Sequence, residues 1–133
     1  MFEKFTFSFK QIENYYRAAS RDFNMLRRGK YEPEIIFFFS YNVVIKISIA
    51  VCAKKGLRIK SKTGHHIALI SKLGEILNDE EIVAMAGRMR MKRNKDLYSG
   101  GLSISQKEAD FYFNFCKDLL KKAEGFLFQN KLF

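Results

Sequence analysis

The chain contains a nineteen-residue apolar run at positions 35–53, IIFFFSYNVVIKISIAVCA, in which Lys46 is the single charge. Its β-branched residues would also suit a buried strand, but the span from Pro33 to Gly56 far exceeds a usual strand of about 5–6 residues. Pro33 suits the first position of a helix, and Gly56 suits its end. A helix that is apolar on nearly every side is typical of the centre of a helical bundle.

The same run approaches the length of a transmembrane helix, which needs about 20 apolar residues. Four polar side chains interrupt it: Ser40, Asn42, Lys46 and Ser48. It would also be a lone span in a chain that is rich in amphipathic segments. We therefore predict a buried core helix in a soluble protein, with no membrane partner. The N-terminal segment carries Glu3 and lacks a hydrophobic signal core, so we predict a cytoplasmic protein.

Four further helices are indicated by periodicity and by capping residues. They are expected at about 9–27, from Ser61 or Thr63 to Leu77, from Asn78 to Tyr98, and from Ser105 through Phe126. Three pairs have the spacing of helix N-caps: Ser8 with Gln11, Asn78 with Glu81, and Ser105 with Glu108. The expected buried faces include Ile67 in the third helix and Phe111 in the last.

These segments predict an all-α fold, with a single helical domain over residues 1–133. Short loops favour antiparallel neighbours, so the expected architecture is an up-and-down antiparallel four-helix bundle with an additional helix. Cys52 and Cys116 lie in apolar segments and are interpreted as reduced core residues. No spacing suggests a metal site, and no motif points to a cofactor, so neither is predicted.

The formal charge of +10 favours polyanionic partners such as RNA or nucleotides. Two segments, 54–62 and 88–95, carry five cations each, and the first contains no acid. In an antiparallel arrangement both would lie at one end of the bundle. The candidate phosphate-binding residues are Arg58, Lys60, Lys62, Arg88, Arg90, Lys92 and Lys95. The alternative is a solvated basic helix end, which the helix dipole also favours.

Candidate catalytic residues fall in the same region. Arg93, Asn94 and Tyr98 combine a guanidinium, an amide and a phenol at helical spacing, which suits a phosphate and a neighbouring hydroxyl. His65 and His66 open the third helix, and because the histidine side chain ordinarily titrates near neutrality, either is a candidate to move a hydroxyl proton. The alternative is that one histidine packs at the helix start and the other is solvated.

Three segments of the chain resemble the HEPN superfamily: GHHIALI at 64–70, RNKDLYSGG at 93–101, and ISQKEA at 104–109. Tyr41 and Asn42 in the apolar helix and the turn at 29–31 fit the same pattern, so the resemblance spans most of the chain. It implies an up-and-down four-helix bundle and a homodimer. It also implies pairing with a minimal nucleotidyltransferase in a prokaryotic toxin–antitoxin module.

Many HEPN proteins are metal-independent endoribonucleases whose motif is an Arg, an adjacent polar residue and a His shortly after. Arg93 and Asn94 would take the first two positions, whereas the His position falls on Tyr98, a phenol whose pKa near 10 makes it a poor base. One hypothesis is a non-cleaving module that binds RNA or nucleotide phosphate, in which Tyr98 bonds, stacks or accepts a nucleotidyl group. The other is a ribonuclease in which His65 or His66 replaces the missing base and Arg93 stabilises the pentacoordinate phosphate.

Overall fold

The structure, a computed structural model, describes residues 1–60, 64–101 and 103–129, with the backbone alone at 97–99. The described residues form five helices and two strands of three residues each. In chain order these are β1 (Phe2–Lys4), α1 (Phe9–Arg28), α2 (Pro33–Lys54), β2 (Leu57–Ile59), α3 (His65–Ile76), α4 (Glu80–Ser99) and α5 (Gln106–Phe128). The all-α prediction is confirmed.

The predicted capping residues are confirmed at two helices and corrected at a third. Capping boxes at Ser8 and Ser105 open α1 and α5. Helix α4 is capped by Asp79 rather than by Asn78, because the Asp79 carboxylate accepts a hydrogen bond from the Glu81 backbone N–H at 3.0 Å. Asn78 instead adopts a φ of 53° in the turn after α3, a conformation that Asn tolerates better than most residues.

Helices α2 and α5 run in one direction, and α1 and α4 run in the opposite direction. Residue numbers rise together in the contacts between α2 and α5, which are Phe37 with Tyr112 and Ser40 with Cys116. They run in opposite senses in the contacts between α1 and α5, which are Phe9 with Phe128 and Phe23 with Phe113. The same is true of α4 and α5, where Asp79 contacts Lys122 and Lys92 contacts Glu108. These four helices form the up-and-down arrangement, and α3 is the additional helix.

Helix α3 runs parallel to α2, which corrects the expectation that consecutive helices are antiparallel. His66, at the start of α3, contacts Tyr41 in the first half of α2, whereas Leu69 lines the same cavity as Cys52 near the end of α2. In the connection between α2 and α3, β2 pairs with β1. The start of α3 lies next to the second half of α4, since His66 and Arg93 line one cavity while Gly74 lies against Val83.

The core is built around α2, whose residues Phe37, Val44 and Val51 are fully buried. By length and composition α2 could cross a membrane, yet 61% of its most apolar window is buried inside the protein, which is compatible with the core helix of a soluble protein. Lys46, the one charge in the run, binds Asp22 of α1 with an Nζ–Oδ2 distance of 2.5 Å.

Two positions predicted to face the core are exposed. The side chain of Ile67 is 54% exposed and that of Phe111 is 50% exposed. Neighbouring residues, Leu69 in α3 and Tyr112 in α5, are buried instead. The prediction is therefore wrong at these two positions, whereas the predicted Ile70 is buried.

The hydroxyl of Ser40 on α2 is buried and has no hydrogen-bond partner within the described part of the chain. Because an unpaired buried hydroxyl costs about 1–3 kcal/mol, Ser40→Ala is expected to leave the free energy of unfolding unchanged or raise it. The control is Ser48→Ala on the same helix, where the hydroxyl donates to the Val44 carbonyl at 2.9 Å. Urea denaturation measures both, and a Ser40→Ala protein less stable than Ser48→Ala would contradict the prediction.

Candidate functional site

A basic cleft of about 280 Å³ lies between the start of α3 and the second half of α4. Its lining consists of Gly64, His65, His66, Ile67, Arg90, Arg93 and Asn94. Gly64 adopts a φ of 70° at the N-cap of α3, so the two histidines occupy the first turn of the helix. Arg90, Arg93 and Asn94 project from neighbouring turns of α4, since residues three and four apart share a helix face.

The two helices that form the cleft pack closely at their other ends. A Cβ atom on Gly74 of α3 would overlap the Val83 side chain of α4 and lie 3.2 Å from the Asp79 carbonyl oxygen. The absence of a side chain at this position therefore allows α3 and α4 to approach each other. This contact holds α3 and α4 together at one end, and the cleft residues lie at the other end of the same two helices.

Tyr41 of α2 lies next to the cleft and contacts two of its residues. The Tyr41 hydroxyl lies 2.9 Å from His66 Nδ1, and the Arg93 guanidinium carbon lies 5.7 Å from the centre of the Tyr41 ring. The rings of His65 and His66 pack edge to face, with centroids 4.5 Å apart. A buried tyrosine thus connects the histidine side of the cleft to its arginine side.

Burial is the main reason that both members of the Tyr41–His66 pair are neutral at neutral pH. Burial lowers the pKa of His66 to about 4, and His65, Arg93 and Arg90 shift it in the same direction. Burial raises the pKa of Tyr41 to about 12, although Arg93 and Arg90 oppose that shift. At neutral pH the positively charged groups of α4 that act on His66 and Tyr41 are Arg90 and Arg93.

The lowered pKa of His66 predicts a pH dependence of stability. The unfolded imidazole, with an ordinary pKa of 6.5, takes up a proton that the folded side chain, with a pKa of about 4, does not. The free energy of unfolding should therefore fall as the pH is lowered from 6.5 to 4. His66→Gln should lose less stability across this window when both proteins are followed by urea denaturation. A difference between the two proteins that is constant with pH would contradict the assignment.

Arg58 does not line the cleft, so the predicted convergence of the two cationic clusters is wrong for this residue. The Arg58 Nε donates to the Glu3 carboxylate at 2.6 Å, and its guanidinium lies 4.2 Å from the centre of the Phe5 ring. The cause is the pairing of β1 with β2, which places Glu3 opposite Arg58. Lys60 follows β2 and its N–H donates to the Met1 carbonyl, while Lys62 lies outside the described residues.

The cations of α4 divide between the cleft and the surface. Arg90 and Arg93 line the cleft, whereas Arg88 and Lys95 are exposed and do not. Lys92 binds Glu108 of α5 at 3.1 Å, which offsets its charge. Tyr98 belongs to α4, but its side chain lies outside the described residues.

Five of the predicted site residues therefore lie together: His65, His66, Arg90, Arg93 and Asn94. Tyr41 was not among the predicted site residues, although its hydroxyl group within an apolar run was a signal, because a buried phenol needs a hydrogen-bond partner. Within the described ranges, no group of three or more His, Cys, Asp or Glu residues could hold a metal ion.

Comparisons of this chain with protein-family models, with curated proteins and with solved structures give no match. The class of protein is therefore defined by its fold and its cleft. It is an all-α protein that presents two arginines, an amide and two histidines in one basic cleft.

Proposed function

We propose that the cleft between α3 and α4 binds a phosphate group of RNA or of a nucleotide, with little or no cleavage. The observation that carries this proposal is the presence of Arg90, Arg93 and Asn94 in one cleft with two imidazoles. Guanidinium groups bind phosphate oxygens through paired, charge-assisted hydrogen bonds, and an amide adds a further donor.

The charge of the site supports an anionic ligand. Among the described residues that line the cleft there is no carboxylate. The chain as a whole carries a formal charge of +10, which attracts polyanions over a longer range. The cleft volume of about 280 Å³ is near the lower end for small-molecule sites, which suits a phosphate with part of its sugar.

The resemblance to the HEPN superfamily supports this function and extends it. On that basis we assign the chain to a cytoplasmic homodimer that partners a minimal nucleotidyltransferase in a toxin–antitoxin module. The position of the usual catalytic histidine falls on Tyr98. That substitution favours binding over cleavage, and it would make Tyr98 available as an acceptor of a nucleotidyl group from the partner enzyme.

A second candidate function, metal-independent RNA cleavage, is favoured by one observation: both histidines line the same cleft as Arg93. One imidazole would take the proton of a ribose 2′-hydroxyl, whose oxygen then attacks the adjacent phosphorus. The 5′-oxygen would leave with a proton from a second acid, and Arg93 would stabilise the charge on the phosphorane.

One pair of measurements separates these functions. Fluorescence anisotropy with a labelled single-stranded RNA should show binding whose affinity falls steeply with salt concentration. The same RNA, incubated with the protein in EDTA, should remain intact on a denaturing gel. Cleavage that is lost in Arg93→Ala would establish the second function, and an absence of salt-dependent binding would contradict both.

A further inference from the structure

We propose that Tyr41 is a positioning residue that fixes His66 as the tautomer with its proton on Nε2. This inference deepens the proposed function, on which it rests for its functional meaning. This tautomer gives the cleft a set of hydrogen-bond donors suited to the non-bridging oxygens of a phosphodiester. It also removes His66 from the groups that could accept a proton in the cleft.

The direction of the hydrogen bond follows from the surroundings of the phenol. Tyr41 is only 1% exposed, and within residues 1–60, 64–101 and 103–129 its hydroxyl has one hydrogen-bond partner, His66 Nδ1 at 2.9 Å. A buried hydroxyl that donated to nothing would carry a desolvation cost, so Tyr41 donates and Nδ1 accepts. Since a neutral imidazole carries one proton, that proton lies on Nε2.

The same tyrosine also contacts the arginine side of the cleft. The Arg93 guanidinium packs over the Tyr41 ring at 5.7 Å, a cation–π arrangement that restricts the orientation of the guanidinium. The hydroxyl thus acts on His66 and the ring on Arg93. These two contacts can be separated by substitution, because phenylalanine keeps the ring and removes the hydroxyl.

The tautomer determines what each histidine can do. The lone pair of His66 Nδ1 is used by the Tyr41 hydroxyl, and its Nε2–H is a donor, so neutral His66 presents no acceptor to a ligand. Together with Arg90, Arg93 and the amide of Asn94, it offers donors to a group that has only acceptors. A ribose hydroxyl that must lose a proton needs an acceptor instead, which neutral His66 does not offer.

The test is the ¹⁵N chemical shifts of the His66 ring in the free protein at neutral pH. We expect an unprotonated Nδ1 and a protonated Nε2 in the wild type, and averaging between tautomers in Tyr41→Phe. A protonated Nδ1 in the wild type would overturn the inference. Because no RNA is present, this outcome is independent of whether the cleft binds RNA.

The functional arm compares RNA affinity in matched variants. Tyr41→Phe should bind single-stranded RNA about three- to tenfold more weakly, the effect of one misplaced hydrogen-bond donor. Tyr16→Phe is the control, since it removes a phenol hydroxyl that bonds the Leu120 carbonyl on the α1–α5 side, and its affinity should equal that of the wild type. Equal affinities of Tyr41→Phe and the wild type would overturn the positioning role. If the wild type shows the expected tautomer and binds no RNA, the proposed function fails and the tautomer assignment stands.

Discussion

Replacing Arg93 with alanine is expected to weaken the binding of single-stranded RNA by about 10- to 100-fold, because hydrogen bonds to charged groups contribute about 1.5–3 kcal/mol. Arg93 lines the cleft and packs against Tyr41, so its guanidinium is held in place before a ligand arrives. The slope of log affinity against log salt concentration should also decrease by about one unit, since one phosphate contact is lost. Fluorescence anisotropy over a range of salt concentrations measures both quantities.

Two further variants separate the geometry of Arg93 from its charge. Arg21→Ala removes the same charge from an exposed position on α1, a helix that packs against α2 and α5, and it should change the affinity only slightly. Arg93→Lys keeps the charge and loses the fork of donors, so its affinity should be intermediate. Equal losses in Arg93→Ala and Arg21→Ala would show that RNA binds the basic surface in general rather than the cleft.

Gly74→Val is expected to lower the free energy of unfolding by about 1–3 kcal/mol, the usual cost of overpacking. The new side chain would overlap Val83 of α4 and crowd the Asp79 carbonyl. Val83 has little freedom to turn away, because β-branched residues in helices strongly prefer one χ1 rotamer. Since α3 and α4 together form the cleft, the same substitution should weaken RNA binding at temperatures where the protein stays folded. Urea denaturation and anisotropy provide the two measurements.

The partner substitution Val83→Ala gives this prediction its control. Val83 is 36% exposed, so truncating it alone should cost little stability. In the double variant with Gly74→Val, part of the lost stability should return, because the overlapping methyl group is gone. A Gly74→Val protein as stable as the wild type, or a double variant less stable than the sum of the single effects, would show that the helices do not meet at Gly74 as described.

The helices could be predicted from the sequence because their signals are local. The capping boxes at Ser8 and Ser105, Pro33 at the start of α2 and the Gly100 stop after α4 each act within one helical turn. The direction of α3 could not be predicted in the same way. It is seen only in contacts between residues far apart in sequence, such as Tyr41 with His66 and Gly74 with Val83, which leave no local pattern to recognise.

The residues of the site divide in the same way, into those predicted from local sequence patterns and those that depend on contacts between distant residues. The spacing of Arg90, Arg93 and Asn94 on one helix, and the position of His65 and His66 at the start of another, were sufficient to select the residues of the cleft. Arg58 was assigned to the site from its charge and from the expected antiparallel arrangement of the helices, and its pairing with Glu3 could not be recognised without the strand register. The contacts of Tyr41 with His66 and Arg93 were not predicted, because a phenol in an apolar run has the same pattern as a core residue.

The measurement that tests the central claim most directly is a two-dimensional NMR titration of the protein with a short single-stranded RNA. If the cleft binds phosphate, the largest shift changes should occur at His65, His66, Arg93 and Asn94, and saturate together with the anisotropy signal. Changes confined to other basic surfaces, such as Arg27 and Arg28 at the end of α1, with the cleft signals unmoved, would contradict the account.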